Sequence, residues 1–294
     1  MRIFLTGSSS FIGAEVLRLC DERGHAVTGV DLAAPSRPDC HRADILDPTV
    51  ADLIPEGVDA VVHLAALSRD SDCRNRALPC FSANVMGTLA LMAAAEARGA
   101  RQFIFASSEW VYDYFSPDRE RTEDDPIDPA ALASEYALSK LVSENNLRQA
   151  SRHGFMPATV LRFGIVYGPR RSNWSAVESL LNDVAIRDVV KVGAVGTARR
   201  FLHVADIADA VLAAVGVPGF EVINIQGARL VTLGEVIAAA AALLGRRPAI
   251  EESSPGQANV RRVSSAKAER LMNWRAPTDL ADGLRSVARH LDLV

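Results

Sequence analysis

A tyrosine and a lysine four residues apart are the side chains best suited to proton transfer. Tyr136 and Lys140 lie in the segment Ser134-Glu-Tyr-Ala-Leu-Ser-Lys140. On a helix they would share a face, and a nearby ammonium group favours the ionised form of a phenol, so Lys140 is expected to lower the pKa of Tyr136. Ser108 follows a predicted strand, where its hydroxyl could polarise a reacting oxygen. The three side chains predict proton and hydride transfer at a carbinol carbon; a chance pair on an amphipathic helix is the alternative.

A glycine-containing turn near the N-terminus is the second candidate site. A predicted strand at residues 2–6 runs into Gly7-Ser-Ser-Ser-Phe-Ile-Gly13, and a predicted helix follows. A helix N-terminus offers free N–H groups, and glycines let the backbone approach a pyrophosphate. Gly7 and Gly13 hold the outer positions of the usual three-glycine fingerprint, with Ser10 at the middle one. The turn predicts dinucleotide binding; an ordinary strand–turn–helix connection is the alternative.

An acidic residue at the end of the second predicted strand indicates which dinucleotide is bound. Asp31 can accept hydrogen bonds from the adenosine ribose and would repel a 2′-phosphate, which favours NAD over NADP. Arg37 follows in a loop and could offset that repulsion. An exposed turn acid or a helix cap is the alternative role for Asp31.

The elements that must position these residues alternate between short apolar runs and helical patterns. Alternation of this kind predicts an α/β fold, a doubly wound parallel sheet of the Rossmann type, with a smaller C-terminal substrate lobe. We expect a dinucleotide-binding domain at residues 1–168, to which segments near 201–225 return, and a mainly substrate-binding lobe at residues 169–294. A loop is expected at residues 251–257. The predicted strands occupy residues 2–6, 26–30, 60–64, 102–106, 158–163, 189–192 and 221–225, and the predicted helices occupy residues 11–23, 84–98, 134–153, 175–186, 204–215, 232–244, 264–273 and 280–291.

Composition excludes several other classes of protein. The 294 residues are 49% hydrophobic and 23% charged with a formal net charge of −4, so a nucleic-acid partner is not expected. The four cysteines form no metal-ligand cluster, which predicts no metal site and reduced thiols. No secretory signal and no apolar run long enough to cross a bilayer are recognised, so we expect a soluble cytoplasmic protein with no membrane partner.

Several ordered segments beyond the two sites identify a family. Together they resemble the extended short-chain dehydrogenase/reductase family, in its NAD-dependent sugar epimerase/dehydratase branch, over nearly the whole chain. The matching segments are Thr6-Gly7-x-x-x-Phe11-Ile12-Gly13, Ala43-Asp44-Ile45, His63-Leu-Ala-Ala66, Asn84-Val-Met-Gly-Thr88, Phe105-Ala-Ser-Ser-Glu-Trp-Val-Tyr112, Leu161-Arg-Phe-Gly-Ile-Val-Tyr-Gly-Pro169, Arg200-Phe-Leu-His-Val-Ala-Asp-Ile-Ala208 and Ser265-Ala-Lys-Ala-Glu-Arg-Leu-Met-Asn-Trp274.

The resemblance implies three sets of site residues. The implied catalytic residues are Ser108, Tyr136 and Lys140. The implied NAD-binding residues are Gly7, Ser10, Phe11, Ile12, Gly13, Asp31, Asp44, Ile45, Leu64, Ala65, Ala66, Asn84, Ala106, Tyr136, Lys140, Phe163 and Ile165. The implied substrate-binding residues are Ser108, Glu109, Trp110, Arg199 and Arg261, and a polar segment at residues 67–76 is expected to cover the site as a lid, or else to be a surface loop.

The chemistry that the resemblance implies is transient oxidation. NAD takes a hydride from a sugar carbinol while Tyr136 takes the proton, and the keto sugar is then epimerised, decarboxylated, dehydrated or released. Trp110 stands where dehydratases carry a second acid, which disfavours dehydration. Ile165 replaces an asparagine common in nucleotide-sugar epimerases. Ser254 replaces an arginine that clamps the pyrophosphate, a role that Arg261 or Arg262 could take.

Three functions are therefore compared. The leading one is an NAD-dependent nucleotide-sugar epimerase, similar to UDP-sugar 4-epimerases, that acts on a small-molecule sugar and forms a homodimer through the helices predicted at residues 84–98 and 134–153. An NAD-dependent sugar or polyol dehydrogenase, or a UDP-uronate decarboxylase, is the enzymatic alternative. A scaffold that senses NAD(H) without catalysis is the third, and the intact set of Ser108, Tyr136 and Lys140 argues against it.

Overall fold

A parallel β-sheet forms the centre of the structure, a computed structural model that describes residues 1–35, 37–112, 115 and 119–294. Within these residues seven strands form the sheet in the order β3-β2-β1-β4-β5-β6-β11, and every neighbouring pair is parallel. The strand order reverses direction between β1 and β4, which opens a crevice at their carboxyl ends. The strands are β1 (Arg2–Thr6), β2 (Ala26–Asp31), β3 (Cys40–Arg42), β4 (Ala60–His63), β5 (Phe103–Ser108), β6 (Ala158–Phe163) and β11 (Phe220–Ile225).

Helices cover both faces of this sheet. Its central strands are buried on both sides, which is why β4, β5 and β6 read as continuous apolar runs rather than as alternating ones. The helices of one face are α1 (Phe11–Glu22), α8 (Val204–Ala213) and α10 (Ala266–Met272), and those of the other face are α2 (Val50–Leu53), α5 (Gly87–Ala97) and α6 (Glu135–Arg152). The predicted doubly wound α/β sheet is confirmed.

The C-terminal part of the chain has a hydrophobic core of its own, centred on residues such as Leu181, Val236 and Leu284. Three small two-stranded sheets accompany it, and the chain returns to the main sheet where β11 pairs with β6. The elements of this part are β7 (Val166–Tyr167), α7 (Ala176–Ile186), β8 (Val189–Val192), β9 (Ala198–Arg199), β10 (Leu202–His203), β12 (Val231–Thr232), α9 (Leu233–Leu244), β13 (Ala249–Glu252) and α11 (Leu280–His290).

One sequence prediction in this part is wrong. Residues 251–257 were expected to form a loop, but Glu251 and Glu252 belong to β13, which pairs in parallel with β8. Proline and glycine in this segment do predict the turn, but they follow the strand. The backbone hydrogen bonds offered by β8 determine where the loop begins.

A continuous helical stretch precedes β5. It consists of α4 (Ala77–Phe81), a π-helical turn at Ser82–Met86, and α5. By length and composition alone, Ala77–Ala97 would be able to cross a membrane, which corrects the expectation that no segment is long and apolar enough. This is weak evidence for a membrane span, since α5 packs into the core with Leu91 and Met92 and a partly buried core helix meets the same criteria.

The cysteines also depart from expectation. A disulfide joins Cys73, at the end of the short helix α3 (Asp70–Cys73), to Cys80 in α4, with their Cα atoms 5.1 Å apart. Cys20 and Cys40 are free and buried, as predicted for reduced thiols. Sequence spacing could not reveal the pairing, because it depends on the turn that brings α3 back against α4.

Candidate active site

The turn between β1 and α1 has no room for side chains at its two glycines. Gly7 has a φ of +72°, and a Cβ there would lie 2.8 Å from the backbone nitrogen of Ala65. A Cβ on Gly13 would overlap the carbonyl oxygen of Gly7. Glycine at both positions lets the start of α1 pack directly on β1 and β4 with its first N–H groups at the crevice.

Ser10 has a structural role at the middle position of the turn. It is the N-cap of α1, and its hydroxyl accepts a hydrogen bond from the backbone N–H of Gly13 at 3.0 Å. Ser, Asp, Asn and Thr are the preferred residues at this position because their side chains satisfy an N–H that the helix leaves free. The exposed Ser10 therefore takes the place of the usual glycine without closing the turn.

Asp31 ends β2 and is tied to the same turn. Its carboxylate accepts hydrogen bonds from the backbone N–H groups of Ser9 at 2.9 Å and Ala33 at 3.0 Å. Arg37 does not offset its charge, because the guanidinium pairs with Asp21 and Asp39 instead. Asp31 thus lies beside the phosphate turn as an acid that no arginine described here neutralises, the arrangement expected of a ribose-binding residue.

Replacing Asp31 by Ala is expected to reduce the preference for NAD over NADP by about tenfold or more, since the charge that repels a 2′-phosphate is removed. The dissociation constants of NADH and NADPH, from fluorescence titration, measure this preference. Asp31→Asn keeps the capacity to hydrogen-bond the ribose but removes the charge, so it separates the effect of the hydrogen bonds from the effect of charge repulsion. An unchanged ratio of the two constants in both variants would rule out the assigned role.

A cleft of about 780 Å³ lies beyond the ends of β2 and β3. It is lined by Leu32, Ala43 and Asp44 among other residues, and the neighbouring Ile45 is buried. Gly87 packs against this isoleucine, since a Cβ there would lie 2.6 Å from the Cδ1 of Ile45 and would displace the end of its side chain. The position next to the phosphate turn and Asp31 fits the adenine end of a dinucleotide.

The end of β4 is fixed by a buried histidine. His63 lies in hydrogen-bond contact with Thr6 at 2.7 Å and with Thr88 at 3.1 Å, and burial lowers its pKa to about 3. It is therefore a neutral structural residue, as its apolar surroundings in the sequence indicated. It holds the segment that carries Leu64, Ala65 and Ala66 against Gly7, at the crevice where these residues were predicted to contact the cofactor.

Asn84 connects the segment after β4 to α6. Its amide oxygen accepts the Leu67 N–H at 2.8 Å, and its amide nitrogen donates to the Leu67 carbonyl at 3.0 Å and to the Ser139 hydroxyl at 2.9 Å. The side chain is 1% exposed and its polar atoms have protein partners. In this structure the predicted cofactor residue Asn84 positions the surrounding backbone.

The predicted catalytic side chains meet at the carboxyl end of β5. Tyr136 and Lys140 project from the first two turns of α6 and are buried, at 8% and 3% exposure. The Lys140 ammonium donates to the Ala106 carbonyl at 2.8 Å and lies 6.0 Å from the centre of the Tyr136 ring. Ser108, the last residue of β5, has its hydroxyl beside both the Trp110 N–H and the Tyr136 phenol.

Burial, not the lysine charge, dominates the ionisation of this pair. It raises the pKa of Tyr136 to about 12, while the neighbouring Ser108 hydroxyl acts in the opposite direction. Burial also lowers the pKa of Lys140 to about 7, with Glu144 opposing the shift. The expectation that Lys140 lowers the pKa of Tyr136 is not met in this structure, because desolvation disfavours both charged forms.

Replacing Lys140 by Met is expected to raise the melting temperature of the cofactor-free protein at about pH 6, by a few degrees. The pKa of Lys140 is about 7 in the folded protein against an ordinary 10.5, so its buried charge destabilises the fold below about pH 7. Above that pH the folded protein sheds the proton, and by about pH 10.5 the destabilisation is gone.

Thermal melts at about pH 6 and about pH 9 measure this effect, and the advantage of the variant should shrink at the higher pH. Lys191→Met is a matched control at a lysine that is exposed and ion-paired on the surface. An advantage of equal size at both pH values would contradict the assignment of the charge to Lys140.

A buried ion pair lies directly behind these residues. Glu144 accepts hydrogen bonds from Arg162 at 2.7 and 3.0 Å and also from the Ser107 hydroxyl. Arg162 donates in turn to the Tyr112 hydroxyl at 3.1 Å, which donates to Asn224 at 2.8 Å. The network joins β5, α6, β6 and β11, so the strand that carries Ser108 and the helix that carries Tyr136 are held in one arrangement.

Three neighbouring strands end in register on the substrate side. Ser108 pairs with Phe163, and Phe163 pairs with Ile225, so the following residues Glu109, Gly164 and Gln226 form a row. Glu109 and Gln226 are 2% and 1% exposed. The Oε1 atom of Glu109 and both polar side-chain atoms of Gln226 form no hydrogen bond of ordinary geometry, although the Gln226 side chain lies close enough to Glu109 to favour its charged form.

Gly164 provides the space in this row, since a Cβ there would lie 2.5 Å from the Oε1 of Gln226. Burial raises the pKa of Glu109, with the charges of Arg261 and Arg199 opposing the shift. Gln226 was missed by the sequence analysis, although its position directly after a predicted strand of the sheet was a usable signal. A buried carboxyl and a buried amide with free hydrogen-bonding capacity are suited to polar substrate groups.

The two predicted substrate arginines are brought together beside Glu109. Burial, with the charge of Arg261, lowers the pKa of Arg199 to about 10. Arg199 donates to the carbonyls of Ala198 and Asn259, whereas the guanidinium of Arg261 lies 5.4 Å from the ring centre of Trp110. Two adjacent guanidinium groups are suited in chemistry to an anion that carries more than one charge.

The remaining predicted site residues lie around this arrangement. Phe11 and Ile12 begin α1, Ala106 and Phe163 are buried in β5 and β6, and Ile165 packs on the C-terminal core. Among the residues that the structure describes, no group of three or more His, Cys, Asp or Glu side chains could hold a metal ion.

Comparisons with known proteins agree over almost the full chain. The model of the NAD dependent epimerase/dehydratase family matches residues 3–225. The uncharacterized UDP-glucose epimerase YtcB of Bacillus subtilis is 26% identical over 99% of this chain and 98% of its own. The UDP-glucose 4-epimerase of Mycolicibacterium smegmatis is 27% identical over 97% of this chain and 96% of its own. The solved structure of MoeE5 in complex with UDP-glucose and NAD superposes with a TM-score of 0.86 at 26% identity, covering 99% of both chains.

Proposed function

Because this chain belongs to the NAD-dependent epimerase/dehydratase family, we propose that it is an NAD-dependent enzyme that epimerises a UDP-sugar at C4. The observation that carries this proposal is the buried pair of Tyr136 and Lys140 beside Ser108, at the sheet edge that also holds the phosphate turn. Relatives along the whole chain, including the epimerase of Mycolicibacterium smegmatis, supply the reaction and the substrate class.

The residues around the crevice fit NAD. Gly7 and Gly13 leave a cradle at the start of α1 that a Cβ would fill, and Asp31 lies beside it with its charge intact. Phe11 and Ile12 begin the helix, Asp44 lines the cleft beyond the ends of β2 and β3, and the neighbouring Ile45 is buried. NAD, when bound, supplies the acceptor and then the donor of the hydride.

The protein's own groups handle the proton. Tyr136 accepts the proton of the sugar hydroxyl as that carbon is oxidised, and returns it when the keto sugar is reduced on its other face. Ser108 hydrogen-bonds the reacting oxygen. Tyr136 can accept this proton only as a phenolate, which burial disfavours by raising its pKa. In this proposal Lys140, in its charged form, stabilises that phenolate when cofactor and substrate fill the site.

The C-terminal part binds the substrate in this proposal. Arg199 and Arg261 bind the diphosphate, and Glu109 with Gln226 accepts and donates hydrogen bonds to sugar hydroxyls. This assigns residues 1–168 mainly to NAD and residues 169–294 mainly to the substrate. Arg261 next to Arg199 supplies the second positive charge that Ser254 lacks, and this favours a nucleotide sugar over a substrate without a diphosphate.

The test is proton NMR of purified protein with catalytic NAD and a panel of UDP-glucose, UDP-galactose, UDP-glucuronate and UDP-N-acetylglucosamine. A new anomeric signal without stoichiometric NADH is the expected result, and Tyr136→Phe serves as the inactive control. A UDP-pentose formed from UDP-glucuronate would identify a decarboxylase instead of an epimerase. Formation of NADH in an amount equal to the product would identify a dehydrogenase. No change in any substrate while NAD stays bound would overturn the proposal.

We also propose that the enzyme is a cytoplasmic homodimer without a membrane partner. The exposed Met86 and Leu89 lie on the helical stretch that includes α5, at 55% and 36% exposure, and α6 packs beside it. A second copy would cover these apolar side chains with its own α5 and α6. Light scattering after gel filtration without detergent should give twice the mass of the chain. The mass of a single chain under these conditions would contradict the dimer.

A further inference from the structure

The disulfide Cys73–Cys80 packs against the proposed catalytic tyrosine. Both cysteines are fully buried, and together with Leu67 they pack against Tyr136 in a small apolar cluster. The free thiols of Cys20 and Cys40 lie elsewhere, at α1 and β3 in the core of the main sheet. Of the four cysteines, the pair Cys73 and Cys80 is therefore the one whose oxidation or reduction can affect the position of Tyr136.

The sulfur atoms contact the groups that position this region. The Cys73 sulfur lies 3.8 Å from the Leu67 carbonyl oxygen, and the Cys80 sulfur lies 3.8 Å from the carbonyl oxygen of Glu135, the residue before Tyr136. The Cys80 sulfur also lies 3.7 Å from the amide nitrogen of Asn84, which holds Leu67 on the other side. Any movement of either sulfur is therefore passed to the backbone on both sides of the site.

Stabilisation of the fold explains this bond poorly. The two cysteines are separated by seven positions, and a cross-link that closes so short a loop restricts the unfolded chain least. In a cytoplasm, thiols are reduced by default, and disulfides found there are mostly redox-sensing or catalytic. The position of this disulfide against Tyr136 therefore indicates its role better than its contribution to stability does.

We propose that Cys73 and Cys80 form a reversible dithiol–disulfide site that sets the activity of the enzyme. In the oxidised form the bond holds α3 and α4 together over Tyr136. When the four-residue helix α3 opens locally and exposes a sulfur, a thiolate of a dithiol reductant attacks it, and the second thiolate of the reductant releases the mixed disulfide. The protein then gains two thiols while the reductant becomes a disulfide, and exchange with an oxidised thiol such as glutathione disulfide reverses the step.

Reduction changes the space that the pair needs. Bonded sulfurs lie about 2 Å apart, whereas two separate thiols need roughly the 3.5–4 Å of an ordinary contact. Both side chains are fully buried in a close-packed cluster, so α3, α4 or the Tyr136 ring must move to provide the difference. A displaced Tyr136 would be misaligned for proton transfer, and misalignment of about 1 Å can cost a large factor in rate.

The test compares the full-length enzyme with bound NAD before and after dithiothreitol treatment. Alkylation and peptide mass spectrometry follow each thiol. We expect reduction of Cys73 and Cys80 to lower kcat/KM by about fivefold or more, and glutathione disulfide to restore it. Cys20→Ala and Cys40→Ala should keep this response, and the double variant Cys73→Ser/Cys80→Ser should lose it.

This readout rests on the proposed function, so hydrogen exchange of the peptides that span residues 67–81 and 134–140 is measured on the same samples. Faster exchange in the reduced wild-type protein is expected whether or not a substrate has been found. Two results overturn the inference: equal kcat/KM and equal exchange in both states with complete conversion of the pair, or no bond between Cys73 and Cys80 after oxidation.

Discussion

Tyr136→Phe is expected to lower kcat by about 10²- to 10⁴-fold, the range that a positioned acid–base group contributes. The variant keeps the ring that packs against Leu67, Cys73 and Cys80, so the local structure is retained and the hydroxyl alone is lost. The phosphate turn and Asp31 lie on other elements, and NAD binding should therefore stay within about threefold of the wild type.

Turnover of the UDP-sugar identified by NMR measures the first effect, and fluorescence titration with NADH measures the second. Ser108→Ala is the companion variant, with a smaller expected loss because it removes a hydrogen bond and leaves the base in place. Thermal melts of all three proteins show whether the fold is intact. Turnover of Tyr136→Phe within tenfold of the wild type would remove Tyr136 from the mechanism.

Arg162→Met is expected to reduce the free energy of unfolding by about 3–5 kcal/mol. Arg162 and Glu144 are 3% exposed and bonded to each other, so removing the guanidinium leaves a carboxylate buried without its counter-ion. Tyr112 also loses the donor to its hydroxyl. The loss is far larger than for a surface pair, where water solvates the remaining charge.

Urea unfolding followed by circular dichroism measures the effect. The double variant Arg162→Met/Glu144→Leu should recover much of the lost stability, because replacing both charges removes the unpaired one. Arg285→Met is the matched control at the exposed ion pair with Asp282, and its free energy of unfolding should change by about 0.5 kcal/mol or less. A loss below about 1 kcal/mol for Arg162→Met would contradict this prediction, and would mean that water or other side chains stabilise the Glu144 carboxylate when Arg162 is absent.

The sheet was predictable because its strands are buried on both faces. The bounds of β1 and β6 were predicted as observed, because both strands are buried in the covered sheet and their sequences are mainly apolar. The bounds of β8 were also predicted as observed, although this strand lies in a two-stranded sheet and alternates between exposed and buried residues. The short strand β3 and the two-residue strands β9 and β12 were not predicted. Their residues carry no periodic pattern, and they are strands because a partner lies beside them.

The sequence predicts those site residues whose type the chemistry requires. It does not predict properties of the site that depend on how the chain packs. Tyr136, Lys140 and Ser108 could be named because they follow a dinucleotide-binding turn in the order typical of the family, although the spacing alone is common, and the structure brings them together. The direction of the pKa shift of Tyr136 could not be predicted from the sequence, since desolvation depends on how deeply the start of α6 is buried. Gln226 follows a predicted strand, but the sequence did not show that this strand, β11, lies beside β6 and brings Gln226 next to Glu109.

The place of β11 in the main sheet has a consequence for synthesis of the chain. Until residues 220–225 leave the ribosome, β6 is an edge strand whose backbone groups have no partner on one side. An apolar unpaired edge is prone to wrong association, and long-range pairing delays folding. A nascent chain that already contains the whole phosphate turn and the catalytic tyrosine therefore still lacks a finished sheet. Residues 1–168, which we propose bind mainly NAD, therefore do not complete the main sheet by themselves, and we expect a ribosome stalled before residue 220 to expose the unpaired edge of β6.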